Sequence, residues 1–260
     1  MQPMQRLHTE YTQSGSLNNM KLQNAAHCAK LSELVYKDKE LIRKEAIYMG
    51  YTKFRFFEHD GTECLVCEDK GFVVVVFRGT EPNKFKDIAA DLKIWRVRSD
   101  TKGRVHAGFK ESCDDLYVEV FNWITKNTHM KKIIVTGHSL GAAVATLFAS
   151  RINADELYTF GSPRVGNRTF VRTLTVPHWR FVNNNDVVTK VPPALLFKHD
   201  GELRYINSLG KIADSPWYSR LWDGIKGRVS SWLRLQLFDG IRDHSVTAYK
   251  SILNDVSSKS

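Results

Sequence analysis

The sequence predicts an α/β protein with a central, mostly parallel sheet flanked by helices, and two stretches carry this prediction. Residues 132–138 are rich in β-branched side chains and lead directly into small, helix-compatible residues from 140 onward. Residues 72–77 read Phe-Val-Val-Val-Val-Phe. Because this run is apolar on both faces, it is typical of a strand in the middle of a sheet.

The remaining elements follow from side-chain spacing along the chain. They are helices beginning near Leu22 and Asp38, strands over 51–58 and 62–68, a helix after Phe109, a helix from 140, strands over 156–160 and 179–182, and a last helix opening at Asp243.

Length and composition indicate one globular domain over residues 1–260, since no Pro/Gly/Ser-rich linker divides the chain. No apolar run approaches the roughly 20 residues that span a bilayer. Residues 1–16 are polar and lack the features of a secretory signal peptide. We therefore expect a cytoplasmic protein or one exported by a non-classical route.

The formal net charge of +10 favours transient contact with anionic surfaces such as phospholipid headgroups. Nucleic acid is the competing partner, but no basic tract with interleaved aromatic residues predicts it. The sequence indicates no obligate protein partner. Cys64 and Cys67 form a C-x-x-C on a predicted strand, where odd spacing places the two side chains on opposite faces. We interpret them as packing residues.

The most informative motif is Gly137-x-Ser139-x-Gly141, between the strand at 132–138 and the helix that follows. A serine on so sharp a turn projects its hydroxyl above the sheet, and glycines on either side let strand and helix approach closely. The helix also directs free backbone N–H groups towards that hydroxyl. The pattern predicts a nucleophile elbow; the alternative is a glycine-rich turn with an incidental serine.

Acyl transfer also needs backbone donors for the developing oxyanion, one of them on a separate loop. Thr80 follows Gly79 on the turn that leaves the strand at 72–77. We predict that its amide is this donor, the alternative being a plain strand-ending turn.

Asp186 and His244 are the predicted acid and base. Asp186 lies on a loop after the strand at 179–182, and His244 lies at the start of the last helix. Asp243 adjoins the histidine and points badly for an imidazole contact, while Asp200 lies in a His-Asp-Gly turn typical of a hairpin. Ser139, Asp186 and His244 also follow the nucleophile, acid, base order of one hydrolase arrangement.

Two amphipathic segments lie near these residues. Residues 81–100 carry Phe85, Ile88, Leu92 and Trp95 at helical spacing, which fits either a mobile lid or a surface helix. Residues 215–238 are rich in tryptophan, with cations available for the opposite side. Trp217, Trp222 and Trp232 would face a membrane in one interpretation and cap the protein core in the other.

From about Phe72 to the last helix, the sequence resembles the class 3 lipase family, the fungal-type α/β-hydrolases. The motifs that carry the resemblance are Arg78-Gly79-Thr80, His106-Ala107-Gly108-Phe109, Gly137-His138-Ser139-Leu140-Gly141, Gly161-Ser162-Pro163-Arg164-Val165-Gly166, Asn185-Asp186 and Asp243-His244.

The resemblance implies an α/β-hydrolase fold, a Ser139, Asp186 and His244 triad, an oxyanion hole of the Thr80 and Leu140 amides, and a lid between Thr80 and His106. The expected activity is carboxylester hydrolysis on acyl lipids through an acyl-enzyme, which needs no metal and no organic cofactor. The alternatives are a short-chain or feruloyl-type esterase, or a non-catalytic lipid-binding or membrane-binding protein on the same fold.

Overall fold

The computed structural model describes residues 20–80, 95–128, 131–213 and 243–258. The strands are β1 (Lys53–His59), β2 (Thr62–Glu68), β3 (Phe72–Phe77), β4 (Arg96–Arg98), β5 (Arg104–His106), β6 (Lys132–His138), β7 (Glu156–Phe160), β8 (His178–Asn183), β9 (Glu202–Ile206) and β10 (Ile212–Ala213). The helices are α1 (20–34), α2 (Lys39–Tyr48), α3 (Ala107–Asn127), α4 (Leu140–Ile152), α5 (Arg168–Thr173) and α6 (Val246–Ser257).

Eight strands form one sheet in the order β1-β2-β3-β6-β7-β8-β9-β10. The five strands from β3 to β9 in this order run parallel to one another, whereas β1, β2 and β10 pair antiparallel. The predicted mostly parallel sheet flanked by helices is therefore confirmed. Since parallel strands end at a common edge, the loops after β3, β6 and β8 meet there.

Both faces of the sheet are covered, and β3 shows why. Val73, Val75 and Phe77 belong to the apolar core beneath α3 and α4. Val74 and Val76 belong to a second core beneath α1, α2 and α6. Each fully buried valine contributes about 1.5–3 kcal/mol relative to exposure, so this strand anchors both layers.

The two cysteines of the C-x-x-C lie on opposite faces of β2. Cys64 packs in the core beneath α3 and α4, and Cys67 packs in the other core. Both thiols are free and buried, and burial raises the pKa of Cys67 to about 12. The interpretation of these cysteines as packing residues fits this placement.

The helix predicted over 81–100 does not extend to its end. Trp95 is not helical; it precedes β4, which pairs antiparallel with β5, and its side chain is 69% exposed. Cross-strand pairing of Val97 with Val105 holds this part extended. The other lid candidates, Phe85, Ile88 and Leu92, lie outside the described residues.

The tryptophan-rich segment 215–238, with Trp217, Trp222 and Trp232, also lies outside the described residues. Among the helices that are described, none combines the length and the apolar character that crossing a membrane requires.

Candidate active site

Ser139 lies on the turn between β6 and α4, with a positive φ of 58°. For a residue with a side chain this conformation costs of order 1–3 kcal/mol and persists only where the surroundings enforce it. A Cβ atom on Gly137 would lie 2.5 Å from the carbonyl carbon and oxygen of Gly141. Strand and helix therefore approach as closely as the glycine motif predicts, and Ser139 is held at a sharp elbow.

The imidazole of His244 connects Ser139 with Asp186. Its Nε2 lies 2.8 Å from Ser139 Oγ, and its Nδ1 lies 3.0 Å from each carboxylate oxygen of Asp186. The structure thus brings together all three side chains predicted as a triad. His244 precedes the last helix instead of opening it, because Ser245 is the N-terminal cap of α6.

Asp186 is fully buried, yet its surroundings favour the charged form. Oδ1 accepts a hydrogen bond from the Val188 amide at 2.9 Å, and Oδ2 accepts one from the Tyr249 hydroxyl at 2.6 Å. Burial alone would raise the pKa of Asp186, but the charge and hydrogen bond of His244 and the hydrogen bond of Tyr249 hold it below its usual value. The carboxylate is therefore ionised and fixed in orientation.

The asparagine run before Asp186 ties the loop of the acid to the segment of the base. Asn183 Nδ2 donates to the carbonyl oxygen of Asp243 at 2.9 Å. Asn184 Nδ2 and the Asn185 amide both donate to the Asp243 carboxylate, at 3.0 and 3.2 Å. Asp243, the sequence rival for the acid, instead holds its neighbour His244 against the loop that carries Asp186.

A second histidine, His138, is hydrogen-bonded to the backbone of His244. His138 Nε2 lies 2.7 Å from the carbonyl oxygen of His244, and its Nδ1 lies 3.1 Å from the Tyr36 hydroxyl. The pKa of His138 is lowered to about 3, mainly by burial and secondly by the charge of the nearby His244. The ring is therefore neutral near pH 7. A carbonyl only accepts, so we assign the proton to Nε2, and Nδ1 then accepts from Tyr36.

The predicted oxyanion donors line one cavity. Thr80 and Leu140 both border a space of about 510 Å³ beside the elbow. The loop after β3 lies directly against the first turn of α4, since a Cβ on Gly141 would lie 2.7 Å from the Arg78 carbonyl carbon. Leu140 is the first residue of α4, where backbone N–H groups lack helical acceptors. The arrangement suits two converging amides, and their role stays a prediction.

A second hydroxyl, imidazole and carboxylate relay lies in the same sheet. His178 Nε2 lies 2.8 Å from Thr159 Oγ1, and its Nδ1 lies 2.9 Å from Asp200 Oδ2. Thr159 is a fully buried residue within β7, one position before its end. In the described part of the chain, no third His, Cys, Asp or Glu joins His178 and Asp200 in a metal-like cluster.

Comparison with known families agrees with this geometry. The family model for class 3 lipases matches residues 74–196, which run from β3 through the elbow and past Asp186. Over these residues the chain is similar to the class 3 lipase family. Both the resemblance carried by the motifs and the α/β-hydrolase fold are thereby confirmed.

Individual class 3 lipases and their relatives show the same likeness. A lipase of Rhizopus niveus is 34% identical over 154 residues, covering 52% of this chain and 39% of that protein. A secreted mono- and diacylglycerol lipase of Fusarium solani is 37% identical over 107 residues, covering 36% of this chain and 32% of that protein. The chain thus spans about a third to two fifths of the length of these curated relatives.

Among solved structures, the triacylglyceride lipase of Rhizomucor miehei superposes with a TM-score of 0.62 and 26% identity. The superposition covers 73% of this chain and 82% of the other.

Sequence reasoning missed three side chains that support the relay and one glycine. Tyr249 bonds to Asp186, His138 bonds to the carbonyl oxygen of His244, and Tyr36 bonds to His138. No local sequence signal marks these contacts, since each joins residues far apart in the chain. Gly161, known only from the family motif, has φ +59°. A Cβ there would lie 2.7 Å from Asp186 Oδ2 and 2.8 Å from His244 Nδ1.

Proposed function

We propose that this chain, which is similar to class 3 lipases, is a serine carboxylester hydrolase acting on acyl lipids. The observation that carries the proposal is the hydrogen-bonded relay of Ser139, His244 and Asp186, at 2.8 and 3.0 Å, on a strained elbow at a helix N-terminus. Relatives named as lipases of other organisms add support.

In the proposed reaction, Ser139 Oγ attacks the ester carbonyl carbon while its proton passes to His244 Nε2. Asp186 stabilises the imidazolium through Nδ1–H, and the Thr80 and Leu140 amides receive the oxyanion. The imidazolium then protonates the departing alcohol and leaves an acyl-enzyme. Water, deprotonated by the same imidazole, releases the carboxylic acid and restores Ser139.

The proposed substrates are long-chain acylglycerol or phospholipid esters. Names of relatives mention mono-, di- and triacylglycerol substrates, and the net charge of +10 supports work at an anionic lipid surface. A short-chain or feruloyl-type esterase would use the same relay on soluble esters. A non-catalytic binder would not need an aligned nucleophile, base and acid.

The test is hydrolysis of p-nitrophenyl esters from acetyl to palmitoyl, each below and above its aggregation threshold. We expect turnover to rise with chain length and again at the interface. A further rise on vesicles enriched in anionic lipid should disappear with added salt, since exposed charges are screened.

Labelling by a fluorophosphonate provides the decisive control. The wild type should be labelled at Ser139, and Ser139→Ala should be neither labelled nor active. Full turnover in Ser139→Ala would overturn the proposal. Highest activity on soluble short esters without an interfacial rise would keep the chemistry and replace the lipid substrate with a general ester.

A further inference from the structure

A second cavity lies on the sheet face covered by α1 and α6, away from the edge that carries Ser139. Its volume is about 340 Å³, near the lower end of the roughly 300–1,000 Å³ of small-molecule sites. Its apolar walls are Leu22, Trp179, Phe181, Ile212 and Val256. This size and lining suit one acyl chain better than a lipid with two or three.

Among the described residues that line this cavity, the charged ones are all cations, namely Lys21, Arg204 and Lys211. The Lys21 ammonium lies 4.5 Å from the centre of the Trp179 ring, which keeps the charge at the cavity wall. Arg204 also pairs with Glu202 at 2.8 Å, so its charge is shared. An apolar cavity bordered by positive charge is complementary to an amphiphile with an anionic head.

Trp179 provides an independent observation. The ring is 6% exposed and stacks on Tyr158 at 5.0 Å, yet its indole N–H has no hydrogen-bond acceptor among the described residues. Leaving such a donor unpaired costs about 1–3 kcal/mol. Because Trp179 lines the cavity, a ligand that brings an oxygen atom is favoured over a pure hydrocarbon.

The cavity is also separated from the proposed hydrolytic site along β8. Trp179 is the second residue of this strand, whereas Asp186 follows the strand's other end. Phe181, the wall residue nearer to that end, is still about 7 Å from Asn183 at roughly 3.3 Å per residue. No described residue lines both this cavity and the one bordered by Thr80 and Leu140.

We propose that this cavity binds a free fatty acid, an alkyl carboxylate of about twelve carbons, one molecule per chain. The hydrocarbon chain lies among the apolar walls, and the carboxylate lies near Lys21 and Lys211. The site is distinct from the one at Ser139, and its existence does not depend on the proposed hydrolysis.

The test is equilibrium dialysis of the full chain with radiolabelled dodecanoate below its aggregation threshold. Lys21→Glu/Lys211→Glu should bind dodecanoate at least tenfold more weakly than the wild type. Lys44→Glu/Lys70→Glu, which changes the net charge equally at exposed positions outside the cavity lining, should bind like the wild type. Uncharged dodecanol should bind equally to all three proteins.

Val256→Trp tests the proposal by filling the cavity, since Val256 is a half-buried wall residue near the end of α6. It should remove binding of both dodecanoate and dodecanol while the circular dichroism spectrum stays unchanged. Undiminished dodecanoate binding in Lys21→Glu/Lys211→Glu or in folded Val256→Trp would overturn the proposal, and so would absence of binding to the wild type. If labelling of Ser139 with a fluorophosphonate abolished dodecanoate binding to the wild type, the ligand would lie at Ser139, and the proposal would again be overturned.

Discussion

The described residues contain two buried relays of the same chemical composition, and the proposed reaction uses only one of them. In the relay of Ser139 and in that of Thr159, the hydroxyl lies 2.8 Å from an imidazole. The imidazole lies 3.0 Å from Asp186 in the first relay and 2.9 Å from Asp200 in the second. Distances alone do not distinguish them.

The difference lies in the backbone. Ser139 occupies an elbow with φ +58°, next to the first residue of α4 and the cavity bordered by Thr80. Thr159 lies within β7 between strands β6 and β8, where its backbone groups belong to the sheet. A reacting carbonyl needs room beside the hydroxyl and donors for the oxyanion, so the relay by itself does not make an active site.

The largest contrast is expected at the two hydroxyls. Ser139→Ala should lower kcat by about 10⁴- to 10⁶-fold, as removal of a nucleophile does. Thr159→Val should leave kcat within about threefold and lower stability by about 1–3 kcal/mol, since His178 loses a partner. Ester hydrolysis and urea unfolding measure the two effects, and a collapse of kcat in folded Thr159→Val would contradict the distinction.

The carboxylates should differ nearly as much. Asp186→Asn should lower kcat by about 10⁴-fold, because the amide no longer stabilises the imidazolium or selects its tautomer. Asp200→Asn should reduce the melting temperature and leave kcat within about threefold. Steady-state kinetics on one soluble ester decides this, and equal losses in the two variants would refute the assignment of Asp186.

Tyr249→Phe tests the hydrogen bond from a phenol hydroxyl to the acid, a contact that Asp200 lacks among the described residues. It removes a 2.6 Å hydrogen bond to Asp186 and keeps the ring. A hydrogen bond to a charged group contributes about 1.5–3 kcal/mol, so we expect kcat to fall by roughly tenfold or more with KM unchanged. Tyr48→Phe, at an 83% exposed tyrosine, is the matched control and should have no effect.

The smallest effect concerns pH and the relay of His178. Burial lowers the pKa of His178 below 6.5, although Asp200 partly opposes this. The unfolded chain therefore binds more protons than the folded one as pH falls. The stabilisation is present above about pH 6.5 and is lost below it.

His178→Gln should accordingly reduce the slope of unfolding free energy against pH between about 6.5 and 5, measured by urea unfolding. The slope that remains includes His138, whose pKa is also lowered by burial. An unchanged slope would show that His178 does not titrate on unfolding.

Much of the fold and the main site side chains could be predicted because their signals are local. The elbow needs glycine at fixed spacing, and a central strand such as β3 must be apolar on both faces. The short strands β4, β9 and β10 could not be predicted in this way, because they form through pairing with distant residues. The turn at Asp200 was wrongly expected to form a hairpin; β8 and β9 run parallel, and Asp200 bonds to His178.

The supporting contacts of the site escaped prediction for the same reason. Tyr249 reaches Asp186 across 63 positions of sequence, and Tyr36 reaches His138 across 102. Nothing in their local spacing separates them from ordinary core aromatics. Only the three-dimensional structure shows that a phenol hydroxyl, rather than the ring, is what the site uses.

The asparagine and Asp243 contacts have a consequence for protein engineering. The loop that carries Asp186 is hydrogen-bonded to Asp243, directly before His244. Upstream, Ala213 is held by the pairing of β10 with β9. The stretch that joins them therefore enters and leaves at two anchored points. Crossovers in recombination experiments are therefore best placed after Ala213 and before Asp243, where these contacts hold the described chain on either side.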